Sequence, residues 1–268
     1  MKRLVLAVIA ALTAISAPAQ ATGPVEVPFA DGRGVTVSET SHYKLARDKI
    51  TYTTLAAGVI GFSDSAAVTH DLTRTFKITP EMEKELSEQE LEYARQPLRE
   101  IKVGRYTYVN PFEWGPMPAG TKWVRFGGNA HWGSEGQRAN QLVDVFDPAV
   151  LKRVLSRATL VGDGEYRGVL RRKDLPLFTD AHSIAFRLFL DHERRPIRLF
   201  TEFTEDAYVL NDDETDLVRT TAHVVVDTRY TQWGRKVHVV APPKNEVVDF
   251  NKLDPSDWPK PDPWRLVG

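Results

Sequence analysis

The chain has 268 residues, of which 42% are hydrophobic and 26% charged, and it contains no cysteine. The lack of cysteine excludes a disulfide framework, a thiol nucleophile, a cysteine-ligated zinc ion and a lipid anchor on cysteine. The formal net charge of -1 gives no electrostatic reason to expect binding to nucleic acid or to an anionic membrane.

The first 21 residues have the pattern of an export signal. Lys2 and Arg3 precede an apolar run from Leu4 to Ile15, and small residues in an Ala-x-Ala arrangement follow it. This order predicts a signal peptide cleaved after Ala21. The apolar run is shorter than the roughly 20 residues that a membrane-spanning helix needs. We therefore expect residues 22–268 to form a secreted protein with no transmembrane segment and no lipid anchor.

Beyond the export signal the dominant hydrophobic period is two, which is typical of strands with one buried face. In Leu217–Tyr230 the even-numbered residues form the apolar face. Ile184–Leu190 and Ile197–Phe203 alternate in the same way, and the polar segment Asp191–Arg195 between them predicts an antiparallel hairpin.

Further strand candidates follow the same rule and are separated by turn residues. They are Val35–Glu39, Ile50–Phe62, Ala66–Phe76, Leu98–Val103, Tyr106–Val109, Lys122–Phe126, Thr159–Val161, Glu165–Arg171 and Arg235–Val240. Trp233–Gly234 is interpreted as the turn before the last of these. Because few long crossovers separate about ten or eleven strands, we expect a mostly antiparallel, meandering sheet.

Two segments after the export signal have helical patterns. Asp147 and Pro148 supply an N-cap followed by proline at the first helical position. The apolar residues of this helix share one face, and they are Val150, Leu151, Val154 and Leu155. The second helix starts at Thr79–Pro80 and is rich in glutamate, so it is either a surface helix or a mobile lid.

Two further segments are expected to be irregular. Gly127–Gln141 is rich in glycine and asparagine and predicts a loop over the sheet. The tail, residues 250–268, contains prolines and tryptophans and is expected to lie extended along the body. Without a repeat or a domain boundary, residues 22–268 are expected to form a single domain.

No motif for catalysis, metal binding or cofactor binding appears in the sequence. The seven histidines lack metal-ligand spacing. Ser63 lacks the second glycine of a nucleophile elbow, and the acidic run 212–216 lacks the pattern of a calcium loop. No catalytic residue, metal or cofactor is therefore predicted, and the basic residues form no stripe for nucleic acid. A binder is favoured over an enzyme, although glycosidase carboxylate pairs leave no sequence signature.

The order of segments from the first predicted helix onward is specific. It consists of Asp147–Leu155, Gly164–Val169, Arg194–Arg198, Tyr230–Val239, Ala241–Pro243 and Glu246–Asp249. A Tyr-x-x-x-Gly-x-x-Val strand, Ala-Pro-Pro and an acidic-Val-Val-Asp ending close the series. On these motifs, residues 106–249 resemble actinobacterial secreted proteins and lipoproteins of the LolA/LppX-like superfamily.

The resemblance implies a mostly β fold of the α+β type. This fold is a strongly curved, antiparallel half-barrel with one or two helices covering its apolar concave face. Members of the superfamily hold acyl chains, lipoproteins or glycolipids there, or serve as envelope sensors. Many relatives carry a lipidated cysteine after the signal peptide, and the absence of cysteine here implies release without a tether.

We therefore expect a non-enzymatic secreted binder or carrier of a hydrophobic ligand, lipid or acylated, in an apolar cavity between helix and sheet. Each buried methylene contributes about 0.8 kcal/mol, so an acyl chain needs no charged anchor. The expected lining residues are Val150, Leu151, Val154, Leu155, Phe186, Leu188, Val224, Val226, Trp123 and Phe126. The same residues could instead pack on one another. An envelope-sensing or protein-interaction module with an envelope-protein partner, and a secreted hydrolase, remain as alternatives.

Overall fold

The computed structural model describes residues 25, 27–46, 51–111, 116–127, 138–162, 164–174, 181–210 and 217–254. The strands are β1 (Arg33–Leu45), β2 (Thr51–Phe62), β3 (Ala67–Phe76), β4 (Leu98–Val103), β5 (Tyr106–Asn110), β6 (Trp123–Phe126), β7 (Ala158–Gly162), β8 (Glu165–Arg171), β9 (Ser183–Leu190), β10 (Pro196–Leu210), β11 (Leu217–Lys236) and β12 (Val247–Asp249). The α-helices are α1 (Pro80–Glu85), α2 (Glu88–Arg95) and α3 (Pro148–Ser156). The predicted export signal, the acidic run 212–216 and the tail from residue 255 lie outside the described ranges.

The strands of the described ranges form one sheet with the order β12-β6-β5-β4-β3-β2-β1-β11-β10-β9-β8-β7. In these ranges every pairing is antiparallel except that between β12 and β6, which is parallel. The predicted class, a mostly β, curved antiparallel half-barrel with few helices, is confirmed. The strand β12 has three residues, too few for an alternating pattern to show. No described helix has the length and apolar character needed to cross a membrane.

The predicted turn at Trp233–Gly234 and the separate strand at Arg235–Val240 are wrong. Instead, β11 continues to Lys236, with Gln232 and Gly234 at φ values of 54° and 77°. The register against β1 shifts at this point, so the turn-forming residues mark an irregularity within a strand. After Lys236 the chain leaves the strand, and the amide of Val237 donates to the carbonyl of Gly32 at 3.1 Å.

The predicted helix after Asp147 is present as α3. The Asp147 carboxylate accepts hydrogen bonds from the amides of Ala149 and Val150 at 2.7 and 3.2 Å, which is the expected N-cap geometry. The helix is nine residues long. A helix this short is marginal on its own, so its stability depends on packing against the sheet.

The glutamate-rich segment forms two short helices where one was expected. The side chain of Thr79 caps α1 by accepting from the Met82 amide at 3.3 Å. The Leu86 amide donates to the Met82 carbonyl at 2.9 Å where α1 ends. Buried Met82 in α1, and buried Leu91 and Ala94 in α2, anchor the pair while Glu81 and neighbouring acids face solvent.

The β4–β6 end of the sheet carries apolar clusters on both faces. Register places Val109 opposite Val124 and Ile101 opposite Tyr108, and residues of odd and even position point to opposite faces. One cluster includes Leu98, Val109, Val124, Phe126 and Leu253. The other includes Ile101, Tyr108 and Trp123, against which Val239 and Ala241 pack as the chain runs from β11 to β12.

Candidate functional site

Eight of the ten predicted ligand-contacting residues lie in one apolar cluster that joins α3 to the concave face of the sheet. We call this cluster the α3 core. Its predicted members are Val150, Leu151, Val154, Leu155, Phe186, Leu188, Val224 and Val226. All are 0–4% exposed except Leu155, which is half-buried. The helix and the strands β9 and β11 are therefore brought together as the alternating patterns suggested.

Trp123 and Phe126 lie elsewhere. Both belong to β6, near one end of the strand order, whereas β9–β11 lie toward the other end. Trp123 packs with Ile101 and Tyr108, and Phe126 stacks on Phe250 with ring centroids 4.7 Å apart. Two residues three positions apart in a strand point to opposite faces of the sheet, so the sequence already indicated that Trp123 and Phe126 cannot line the same side.

Side chains fill the space beneath α3. Val154, Leu170, Ile184, Leu188 and Leu199 are each 0% exposed in the α3 core. At the edge of this core, one cavity bounded by described residues has a volume of about 10 Å³, which is room for about one water molecule. Its lining residues are Val37, Ile60, Arg138, Gln141, Val143, Asp144, Phe146, Thr228 and Tyr230.

A band of polar side chains crosses the concave face next to the α3 core. We call it the polar belt, and its members are Glu39 and Ser41 (β1), Thr54 (β2), Arg74 (β3), Thr201 (β10) and Thr228 (β11). Register places Thr228 opposite Glu39 and Thr54 opposite Ser41, so the belt is continuous across the sheet. Its hydrogen-bond partners lie in residues 138–147, a segment that precedes α3 and that we call the plug.

Asn140 of the plug links the belt residues of β1, β2 and β3. Its side-chain oxygen accepts from Arg74 Nη1 at 2.8 Å, and because a guanidinium can only donate, this contact fixes the orientation of the amide. The Asn140 Nδ2 then donates to Ser41 Oγ at 3.2 Å and to Thr54 Oγ1 at 2.9 Å. Its backbone amide donates to Glu39 Oε1 at 2.9 Å. One residue therefore bridges an arginine and a buried carboxylate.

Gln141 makes the matching contacts on the β10–β11 side. Its Oε1 accepts from Thr201 Oγ1 at 2.9 Å, and its Nε2 donates to Thr228 Oγ1 at 3.0 Å. Since the Thr228 oxygen already accepts from Gln141, its own proton is free to reach Glu39 Oε2 at 2.9 Å. A continuous series of hydrogen bonds thus runs from the Gln141 side-chain amide through the Thr228 hydroxyl to the Glu39 carboxylate.

Glu39 is the acceptor on which the network converges. It is 4% exposed and receives hydrogen bonds from the Asn140 amide, the Ser41 hydroxyl at 3.2 Å and the Thr228 hydroxyl. Burial raises the pKa of Glu39 above its ordinary value, while these donors and the positive charge of Arg74 oppose that rise. The sequence held a signal for this site, because alternation places Glu39 on the same face as Val35 and Val37.

Side chains hold the plug against the strands. Arg138 pairs with Asp144, donates to the carbonyl of Ala67 at 3.3 Å, and lies 5.5 Å from the ring centre of Phe146. Phe146 packs edge-on against Tyr230, with 5.2 Å between the two ring centroids. Among the described residues, the backbone–backbone hydrogen bonds of 138–147 stay within the segment or lead into α3. The plug is therefore not a strand of the sheet.

The far end of α3 is fastened at a single aspartate. Arg153 donates to the Asp174 carbonyl at 2.7 Å, and Arg157 donates to its carboxylate at 3.0 Å. The backbone amide of Arg171 donates to the same carboxylate, and this bond together with Arg157 lowers the pKa of Asp174. These contacts tie the helix to the turn after β8.

Few side chains in the part of the chain that the structure describes are candidates for catalysis or metal binding. Ser63 lies just after β2, and its hydroxyl donates to the carbonyl of Ala66 at 3.4 Å, a contact typical of a turn. No group of three or more histidine, aspartate or glutamate side chains among the described residues is placed to hold a metal ion.

The arrangement defines a class of protein: a curved, open antiparallel sheet whose concave face is covered by a short amphipathic helix and an inserted loop. Among solved structures, the chain is similar to a DUF1329 family protein from Desulfovibrio piger ATCC 29098, with 8% identity, coverage of 78% of this chain and 88% of that chain, and a TM-score of 0.26. It is also similar to a putative outer membrane lipoprotein-sorting protein domain from Vibrio parahaemolyticus, with 9% identity, coverage of 74% and 84%, and a TM-score of 0.28. No protein-family model and no curated protein matches the chain.

Proposed function

We propose that the protein binds a hydrophobic ligand, lipid or acylated, between α3 and the concave face of the sheet, without catalysing a reaction. It acts outside the cytoplasm after removal of the export signal at Ala21. The observation that carries the proposal is the α3 core, in which the apolar stripe of a short helix faces a continuous apolar surface of neighbouring strands.

The described state corresponds to a closed form. Val150, Leu151 and Val154 occupy the space that a hydrocarbon chain would fill, so binding requires α3 and the plug to move away from the sheet. Such a movement breaks side-chain contacts and leaves the strand ladder intact, because the plug is attached through side chains. The ligand would cover the apolar surface that is uncovered on the strands, and this burial would favour binding by about 25 cal/mol for each Å² of apolar surface.

The direct test is the lipid content of protein purified from its natural envelope without detergent. Native mass spectrometry is expected to show an adduct, and solvent extraction is expected to release it as a lipid or acylated compound. Titration of the stripped protein with a fluorescent fatty acid supplies the second measurement. Absence of both an adduct and saturable binding would contradict the proposal.

The location of the ligand can be tested by spin-label distances, because the chain contains no cysteine to interfere. In the double variant Lys152→Cys/Arg229→Cys, one label sits on the exposed face of α3 and the other on the exposed face of β11. Ligand binding is expected to lengthen this distance by at least about 4 Å, the thickness of one hydrocarbon layer.

The control pair Lys44→Cys/Arg229→Cys places both labels on exposed positions of the neighbouring strands β1 and β11. Its distance is expected to stay constant when lipid binds. A bound lipid that leaves the α3 distance unchanged would place the site elsewhere on the molecule.

A second candidate function is an envelope-sensing or protein-interaction module that takes no ligand. The filled space beneath α3 favours it, because the described side chains there already exclude water by packing on one another. This candidate gains support if purified protein carries no lipid and a specific envelope protein is recovered with it by cross-linking. It loses support if lipid binding moves α3.

A further inference from the structure

We propose that the polar belt is the binding site for the uncharged, hydrogen-bonding head of an amphiphilic ligand, a hydroxyl-bearing or primary carboxamide head. Asn140 and Gln141 occupy this site in the closed form and act as internal substitutes for the ligand head. The inference rests on the proposed function, since the hydrocarbon part of the same ligand would replace the packing of α3.

The chemistry of the belt disfavours ligand heads of either charge. Arg74 presents donors and needs an acceptor, whereas Glu39 accepts three hydrogen bonds and needs donors. A carboxylate or phosphate head would satisfy Arg74 but bring a second negative charge close to Glu39. An ammonium head would satisfy Glu39 but bring a second positive charge close to Arg74. Like charges brought together in a buried site repel each other strongly.

An amide or hydroxyl head meets both demands, as Asn140 already does. Its side chain offers an oxygen to Arg74 and an NH₂ group to Ser41 and Thr54. A ligand with the same donor and acceptor groups can take over these bonds, so Arg74, Ser41 and Thr54 keep a hydrogen-bond partner when the plug leaves. An aliphatic group in this place would leave the buried donors and acceptors of the belt without hydrogen-bond partners, which is unfavourable.

The polar belt is continuous with the α3 core. Thr201 lies in β10 between the inward residues Leu199 and Phe203, and Thr228 follows Val226 on the inward face of β11. Inward neighbours along a strand are about 7 Å apart, so a head in the belt has its first methylenes at the edge of the apolar surface. The arrangement therefore suits a molecule with a polar head and an aliphatic tail.

A ligand series with one chain length tests the inference on the full exported chain. Palmitamide, monopalmitoylglycerol, palmitate and hexadecylamine compete for an uncharged naphthylamine probe at neutral pH, below their aggregation limits. The two uncharged ligands are expected to compete at least about tenfold better than the two charged ones, because a like-charge contact exceeds the 1.4 kcal/mol that corresponds to a factor of ten.

Variants of the belt separate the two charges. Glu39→Gln is expected to improve competition by palmitate selectively, and Arg74→Gln is expected to improve competition by hexadecylamine selectively. Glu202→Gln removes the same charge from the exposed face of β10 and is expected to leave the ranking of the four ligands unchanged. Each variant is first checked for folding by circular dichroism.

The plug supplies a test that a purely structural role would fail. The double variant Asn140→Ala/Gln141→Ala removes the internal competitor, so a larger fraction of the protein has a free belt, and palmitamide is expected to bind at least about tenfold more tightly. A structural role predicts equal or weaker binding.

The outcomes separate this inference from the proposed function. Equal competition by all four ligands would overturn the inference and leave the hydrophobic site standing. Failure of the probe and of every ligand to bind would overturn the proposed function as well. If the belt variants do not fold, the ranking measured with the unaltered protein decides the question alone.

Discussion

Val154→Asp is expected to lower the free energy of unfolding by about 3–5 kcal/mol, the cost of an uncompensated buried charge. Val154 is 0% exposed at the centre of the apolar stripe of α3 and packs in the α3 core. A carboxylate placed there would lose its hydration among aliphatic groups. Urea unfolding followed by circular dichroism and tryptophan fluorescence measures the loss as a lower transition midpoint.

Ala149→Asp is the matched control for this change. It introduces the same charge into the first turn of α3, at an exposed position where the helix dipole favours an acid. Its stability is expected to remain within about 0.5 kcal/mol of the unaltered protein. If both variants lowered the free energy of unfolding by a similar amount, the effect of Val154→Asp would not come from burial of the charge in the α3 core, and the prediction would be contradicted.

Glu39→Ala is expected to lower the free energy of unfolding by about 2–4 kcal/mol, because it leaves buried donors without an acceptor. The amide of Asn140 and the hydroxyls of Ser41 and Thr228 all lose their shared partner. The loss extends to the plug, since the backbone contact of Asn140 to the sheet is gone. The isosteric variant Glu39→Gln keeps an acceptor oxygen and is expected to be less damaging.

The pH dependence of Glu39→Gln gives a second measurement with a defined sign. Burial raises the pKa of Glu39 in the folded protein, so the folded chain binds a proton at this carboxyl more tightly than the unfolded chain does. This contribution to stability is complete below the pKa of the unfolded chain, about 4.3, and is lost as the pH rises through the folded value. The stability of the unaltered protein relative to Glu39→Gln is therefore expected to be greatest near pH 4 and to fall at higher pH.

Glu202→Gln controls for the general effect of removing one negative charge, since Glu202 lies on the exposed face. Subtracting its behaviour isolates the contribution of the buried site. A relative stability of Glu39→Gln that decreases with rising pH would contradict a raised pKa for Glu39.

The sequence by itself determined the elements that depend on local chemistry. Alternation along the chain specified most strands and their buried faces, and Asp147–Pro148 specified where α3 begins. The apolar stripe of α3 and the inward residues of β9 and β11 were assigned correctly to buried faces, because a period of two or of 3.6 is a property of neighbouring residues. The turn predicted at Trp233–Gly234 is wrong because glycine with a positive φ is used both in hairpin turns and in irregularities within a strand.

The tertiary structure alone decided which faces meet. Glu39 and Thr228 are 189 positions apart, and their contact exists because β11 pairs with β1 across the sheet. The order of the strands from β3 to β10 brings Arg74, Thr54 and Thr201 into one belt, and side-chain hydrogen bonds hold Asn140 and Gln141 over it. The position of β6 toward the other end of the sheet keeps Trp123 and Phe126 away from α3. Periodicity tells how each strand divides its side chains between two faces, whereas the polar belt follows from the order and register of the strands, which local patterns do not encode.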